Sequence, residues 1–158
     1  MAIRNIVHEG DDILRKRAKE VPEINARIIM LLEDMADTLK EQEGVGLAAN
    51  QVGVLKRIFI ADVGDGVIEL INPEIIEVRG RQEEEEGCLS VPGIIGMVER
   101  PEYVKISALD RSGKRVVYEG TELLARVFCH EHDHLEGMLF IDKAKDLRSA
   151  EDEEEEDL

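Results

Sequence analysis

The stretch Phe128-Cys129-His130-Glu131-His132-Asp133-His134-Leu135-Glu136-Gly137 concentrates three imidazoles and three carboxylates in ten consecutive residues. The chain leading into it has helical periodicity. Leu123, Val127, His130 and His134 fall on one stripe, and Leu124, Phe128, Glu131 and Leu135 fall on the next. On a helix, His130 and His134 lie one turn apart and can aim two ring nitrogens at one point, with Glu131 beside them. That arrangement suits a metal ion, its bound water and a base. Gly137 supplies the positive-φ residue that commonly ends a helix, and Thr121 is a cap at its start. HExxH strings also arise by chance in helices, and a catalytic site of this type takes three protein ligands plus an open position. A third ligand must come from elsewhere in the chain.

At 158 residues, the chain fits a single domain with one sizeable core. Aromatic residues make up only 3% of it, so that core is aliphatic. Net charge is −16, and seven of the acids lie in Glu151 to Asp157. The remainder is still acidic, which argues against stable nucleic-acid binding over a broad face. No apolar run is long enough to span a membrane, and Met1-Ala2-Ile3-Arg4-Asn5-Ile6 lacks a signal peptide's apolar centre and cleavage site, so a cytoplasmic protein is expected. The two cysteines, Cys88 and Cys129, are then free thiols or metal ligands.

Along the chain, Asp11 to Ala18 reads as a short helix with acids first and bases last. From Ile24 to Glu41, the residues Ile24, Ile28, Leu31, Leu32, Met35 and Leu39 recur at helical spacing, predicting a helix that packs on a sheet. Three glycines in Gly44 to Gly53 indicate unusual backbone or close approach to another group. Val54 to Val63 and Val67 to Ile71 read as strands joined at Gly64-Asp65-Gly66, and a third begins at Pro73. Gln82 to Glu86 reads as a solvated face except for Glu86, which leads into a Gly- and Pro-fixed loop around Cys88. Further strands are predicted at Gly96 to Val98, Val104 to Leu109 and Arg115 to Tyr118, the last two joined by a turn at Asp110 to Gly113. Leu139-Phe140-Ile141 closes the fold. Helices before and after a run of short strands predict an α+β fold, mostly antiparallel, with an N-terminal helix outside and the strands packed around a C-terminal metal-binding helix. The domain spans residues 1–148, followed by a charged tail, 149–158, expected to be disordered.

Three motifs in order, GVGLAANQ (Gly44 to Gln51), EGCLSVPG (Glu86 to Gly93) and HEHDHLEG (His130 to Gly137), resemble those of the peptide deformylase family. The likeness extends over nearly all the chain except the acidic tail. It implies the deformylase fold and removal of the formyl group from N-terminal formylmethionine, releasing formate. It implies Cys88, His130 and His134 as metal ligands and one divalent ion, typically Fe²⁺, with Zn²⁺, Ni²⁺ or Co²⁺ able to replace it. Glu131 matches the general acid/base for a metal-bound water. Gln51 and the backbone N–H of Leu89 match the groups that hold the carbonyl oxygen. Val45, Leu123 and Val127 match positions lining the methionine slot, and the Gly46 backbone pairs with an extended peptide. Glu86 and Asp133 are candidate acceptors behind the ligands.

The implied partners are formylmethionyl peptides of nascent chains, met in transient proximity to the ribosome. The acidic tail would be repelled by RNA phosphates there. Cys129 stands where the family usually has Gln, His132 where the residue is more often apolar, Asn50 where Pro or Thr is commoner, and Ile95 where many relatives carry Arg or an aromatic. Two other functions fit part of the pattern. An HExxH metallopeptidase would take its third ligand downstream of the helix, where no convincing ligand is evident and Asp142 stands close by. A non-catalytic metal- or formyl-peptide-binding module would have no need of Glu131 and Gln51.

Overall fold

The structure is a computed structural model and describes residues 2–150. The acidic segment from Glu151 onward, expected from composition to be disordered, lies outside the described residues. Helix α1 (Ala26–Gln42) starts where the Asn25 side chain accepts from the N–H groups of Arg27 and Ile28, and ends at Glu43, which has φ of 56°. Its buried stripe is Ile28, Leu31, Leu32, Met35 and Leu39, as the periodicity predicts. The helix predicted over Asp11 to Ala18 is instead a single 3₁₀ turn, Asp12–Arg15, capped by the Asp11 side chain. So short a segment buries only Leu14, too little to hold a longer helix.

One sheet has the order β1-β2-β3-β6-β7, formed by β1 (Gly46–Ala48), β2 (Ile58–Ala61), β3 (Ile68–Arg79), β6 (Tyr103–Leu109) and β7 (Arg115–Thr121). The other has the order β4-β5-β8, from β4 (Gln82–Cys88), β5 (Val91–Arg100) and β8 (Lys145–Ser149). All pairings within both sheets are antiparallel. Helix α2 (Glu122–Leu135) completes the fold. Strand β2 shows how the layers stack. Ile58 and Ile60 join the α1 cluster, whereas Phe59 and Ala61 join Ala125, Val127, Phe128 and Leu135 of α2. The large sheet is thus covered by a helix on each face, and all four residues of β2 are buried.

Several boundaries differ from the sequence reading, each for a physical reason. Strand β2 begins only at Ile58, because Lys56 pairs in an isolated parallel bridge with Lys19. Pro73 does not open a new strand: β3 runs through it, with a register shift between Ile71 and Glu74. The acidic run Gln82 to Glu86 is itself in a strand, the edge strand β4, with Glu83, Glu84 and Glu85 exposed and Glu86 buried. Strand β8 extends through Ser149, which pairs with Ile94. Thr121 occupies the cap position of α2, but its side chain makes no capping bond. Gly137 has φ of 78° just beyond the helix, as expected.

The shift in β3 centres on Asn72, which has φ of 51°. Its side chain accepts from the Val21 N–H at 2.8 Å and donates to the Val21 carbonyl at 3.0 Å, tying the entry loop to the sheet. Asn72→Gly loses both bonds but keeps the left-handed backbone available, whereas Asn72→Ala also forces a Cβ into it. Denaturant melts should therefore find Asn72→Ala less stable than Asn72→Gly by roughly 1 kcal/mol; equal midpoints and slopes would contradict this account.

Candidate active site

The C-terminal half of α2 meets the β4–β5 hairpin. The loop foreseen around Cys88 is tighter than the sequence suggests: Cys88 pairs with Val91, so Leu89 and Ser90 alone form the turn. This hairpin carries the Cys88 thiol to the helix. Cys88 Sγ lies 3.4 Å from His134 Nε2, and the ligand atoms of Cys88, His130 and His134 all fall within 4.8 Å of one another. A thiol and two imidazoles so close suit a divalent ion of the late first row, so the residues present fit such an ion.

The His130 ring is held from behind, whereas His134 Nδ1 is buried without a hydrogen-bond partner among the described residues. His130 Nδ1 is 2.9 Å from Glu86 Oε1, which leaves its Nε2 for a ligand when the proton is on Nδ1. Arg100 donates through Nε and Nη2 to Glu86, both at 2.9 Å, and through Nη1 to Asp133 at 2.7 Å. Burial pushes the Glu86 carboxyl up, but hydrogen bonds from Arg100 and His130 outweigh it and hold Glu86 at about 2. Phe140 stacks on His130 with ring centroids 6.2 Å apart. His134 is held well below the ordinary imidazole range, first by burial and then by the charges of His130 and Arg100, which favours the neutral form that ligates metals.

Glu131 is fully enclosed, and burial raises its pKa to about 7. Its Oε1 has no hydrogen-bond partner among the described residues. A cleft of about 360 Å³ opens beside it, lined by Val45, Gly46, Gln51, Leu89, Leu123, Val127, His130 and others. All the residues assigned to the site from the sequence therefore either line this cleft or meet at its base. Val45 and Leu123 are partly exposed at its mouth, whereas Val127 is buried. Gly46 has a steric rather than a conformational role. A Cβ there would come within 2.7 Å of Glu131 Oε2 and 2.8 Å of Val127 Cγ1.

Other residues lie apart from the chemistry. Cys129 faces the sheet core, and burial pushes its thiol up to about 11. His132 lines a separate polar cavity with Arg57 and Glu136. Asp142, the downstream acid considered as a peptidase ligand, accepts from Arg15 at 2.5 Å and from the Leu139 N–H at 3.0 Å. Asp133 bonds to Arg100 and Lys143 rather than to a histidine, so it acts on the ligands only through Arg100. Arg100, Ser90 and Arg126 escape the sequence reading. Arg126 at least shares the α2 face of Leu123 and His130, a signal the periodicity could have supplied.

A thiol from a hairpin and two helical imidazoles, with a buried carboxyl beside a cleft, define a mononuclear metallohydrolase site. The family model for polypeptide deformylase matches residues 3–150. A peptide deformylase of Thermoanaerobacter pseudethanolicus is 56% identical over 156 residues, 99% of this chain and 97% of that protein. One of Caldanaerobacter subterraneus subsp. tengcongensis is 58% identical over 143 residues, 90% of each. The crystal structure of the Thermotoga maritima peptide deformylase aligns with TM-score 0.89 at 42% identity, covering 92% of this chain and 99% of that one. The Synechococcus elongatus enzyme, solved in complex with actinonin, aligns with TM-score 0.88 at 38% identity, covering 90% of this chain and 79% of that one. The chain belongs to the polypeptide deformylase family. Among the described residues, no helix is long and apolar enough to cross a membrane.

Burying Glu131 has a stability signature. Its folded pKa of about 7 stands above the ordinary 4.5, so the folded state holds this proton more tightly than the unfolded chain. Stability then falls as pH rises from the ordinary value to about 7, by at most on the order of 3 kcal/mol. Glu131→Gln removes the ionisation. In metal-stripped protein, the melting temperature of the variant should exceed that of wild type by an increasing margin between pH 5 and 8; a constant margin would show that burial does not control this carboxyl. Gly46→Ala should retain the fold but lose turnover at least tenfold, because the methyl displaces Glu131 or Val127.

Proposed function

We propose that this chain hydrolyses the N-formyl group of formylmethionine at the N-terminus of newly made proteins in the cytoplasm, with Cys88, His130 and His134 holding one Fe²⁺. Zn²⁺, Ni²⁺ or Co²⁺ also suit this donor set. The observation that carries the reading is the convergence of those three ligand atoms beside a buried carboxyl with pKa about 7. An ion there supplies Lewis acidity, which makes a water acidic enough to deprotonate near neutral pH and polarises the formyl carbonyl.

Glu131 takes a proton from the attacking water, a task for which a pKa near the working pH is best. The Gln51 amide and the Leu89 N–H donate to the formyl oxygen as it gains negative charge, such a donor being worth about 3–4 kcal/mol of barrier. Glu131 then gives its proton to the leaving amine as the C–N bond breaks, and formate departs. The methionine side chain enters between Val45, Leu123 and Val127. The cleft also lies between two sheet edges, β1 at Gly46 and β4 at Glu85 to Cys88, so an extended peptide can pair along the Gly46 backbone as an added strand.

The test is formate release from a formyl-Met peptide by anaerobically purified, Fe²⁺-loaded protein, beside its acetylated counterpart. Wild type should cleave only the formyl peptide, and Glu131→Ala should lose about 10²–10⁴-fold in rate while retaining its metal. No formate from folded, fully metallated protein, or cleavage of internal peptide bonds instead, would overturn the reading.

A further inference from the structure

We propose that Ser90 is the positioning residue for Gln51, its hydroxyl fixing the carboxamide so that one N–H faces the reaction centre. The proposal rests on the reading of Gln51 as a donor to the formyl oxygen. Gln51 and Ser90 are both fully buried, 39 residues apart in sequence. Gln51 Oε1 accepts from the Ala48 N–H at 2.9 Å, which settles which end of the amide is oxygen. Its Nε2 donates to Ser90 Oγ at 3.1 Å and stands 3.6 Å from Cys88 Sγ. One amide hydrogen is therefore spent on the serine, and the other lies on the side of the thiol and the cleft.

The terminal torsion of a glutamine is broad and has no strong intrinsic preference. The Ala48 N–H and the Ser90 hydroxyl are the two short bonds that hold this one, with Cys88 Sγ a longer third partner of Nε2. Removing the hydroxyl leaves the nitrogen end held only by the long contact to Cys88 Sγ, and it also leaves a buried amide hydrogen unpaired. The other contacts of Ser90 use its backbone. Its N–H meets Cys88 Sγ at 3.4 Å, and its carbonyl accepts from the Glu9 N–H at 2.7 Å. Alanine or glycine in the turn would keep those, so deleting the hydroxyl isolates its action on Gln51.

The experiment is a double-mutant cycle on the metal-loaded enzyme with a formyl-Met peptide: Ser90→Ala, Gln51→Ala and both together, with Ser90→Gly so that the result does not depend on one variant folding. Gln51→Ala should lower kcat about 10²-fold. Ser90→Ala should lower kcat about tenfold with KM and metal content little changed. In the Gln51→Ala background it should have no further effect, and Ser90→Thr, which keeps the hydroxyl, should recover turnover. In ¹⁵N-labelled, Zn²⁺-loaded protein, the Gln51 side-chain amide protons should exchange slowly with solvent in wild type and faster in Ser90→Ala. Wild-type kcat in Ser90→Ala and Ser90→Gly, losses that simply multiply in the double variant, or unchanged amide exchange would overturn the proposal while the Gln51 reading stands. Wild-type kcat in Gln51→Ala would overturn both.

Discussion

The site depends on one buried guanidinium. Arg100 is almost fully enclosed and spends Nε and Nη2 on Glu86 and Nη1 on Asp133. Glu86 lies two residues before Cys88 on β4, and Asp133 immediately precedes His134 on α2. The same cation thus ties the strand that delivers the thiol to the helix that delivers both imidazoles. Desolvating these charges is expensive and is offset only because each is met by short, well-directed bonds. Removing one member leaves the others buried and uncompensated, a loss of about 3–5 kcal/mol in comparable networks. The return is geometric: Glu86, fixed by Arg100, fixes the His130 ring in turn.

Glu131 is treated in the opposite way. Among the described residues its Oε1 has no hydrogen-bond partner, and burial outweighs the charges of His130 and Arg100, so its pKa rises where that of Glu86 falls. Two carboxylates of one site are driven apart by what surrounds them, one held permanently ionised as a strut and the other able to exchange a proton near neutrality. The stable element is the layered core. Helix α2 packs Phe128 and Leu135 against Phe59 and Leu70 of the sheet, and the next positions on the same helix, Val127, His130 and Glu131, face the cleft. Packing thereby supplies the rigidity that the chemistry needs.

How much of this could be read from the chain follows from the range of each interaction. Both helices are legible because their signals are local: the 3.6-residue stripe of α1 and the i, i+4 spacing of His130 and His134. The β2–β3 hairpin is legible through Gly64-Asp65-Gly66. Strand β8 is not, since Lys145-Asp146-Leu147-Arg148-Ser149 has no alternation of its own and becomes a strand by pairing with β5. Pro73 misleads for a similar reason. It is a local breaker signal overridden by the anchoring of Asn72 to Val21. In the site, the ligands carry recognisable motifs, but Arg100 and Ser90 take their meaning from partners 14, 33 and 39 residues away. Nothing in their own neighbourhoods announces those contacts.

The acidic run before Cys88 has its explanation in the topology. Strands β1 and β4 are both sheet edges, and both border the cleft. An unpaired edge is a template for any extended chain, so an enzyme that must admit one peptide there must also discourage others. Glu83, Glu84 and Glu85 are exposed on β4, two of them bridged to Lys145 and Arg148 of β8. Charge along the outer part of the edge opposes association of a second copy of this acidic chain. Glu85 still borders the cleft, but the next residue, Glu86, turns its carboxylate inward to Arg100. Gly87 presents bare backbone next to Cys88 and lines the cleft together with Gly46 of the other edge, and there a main chain can approach without displacing a side chain. The edge therefore carries its exposed acids at Glu83 to Glu85 and offers unencumbered main chain only at Gly87, beside Cys88.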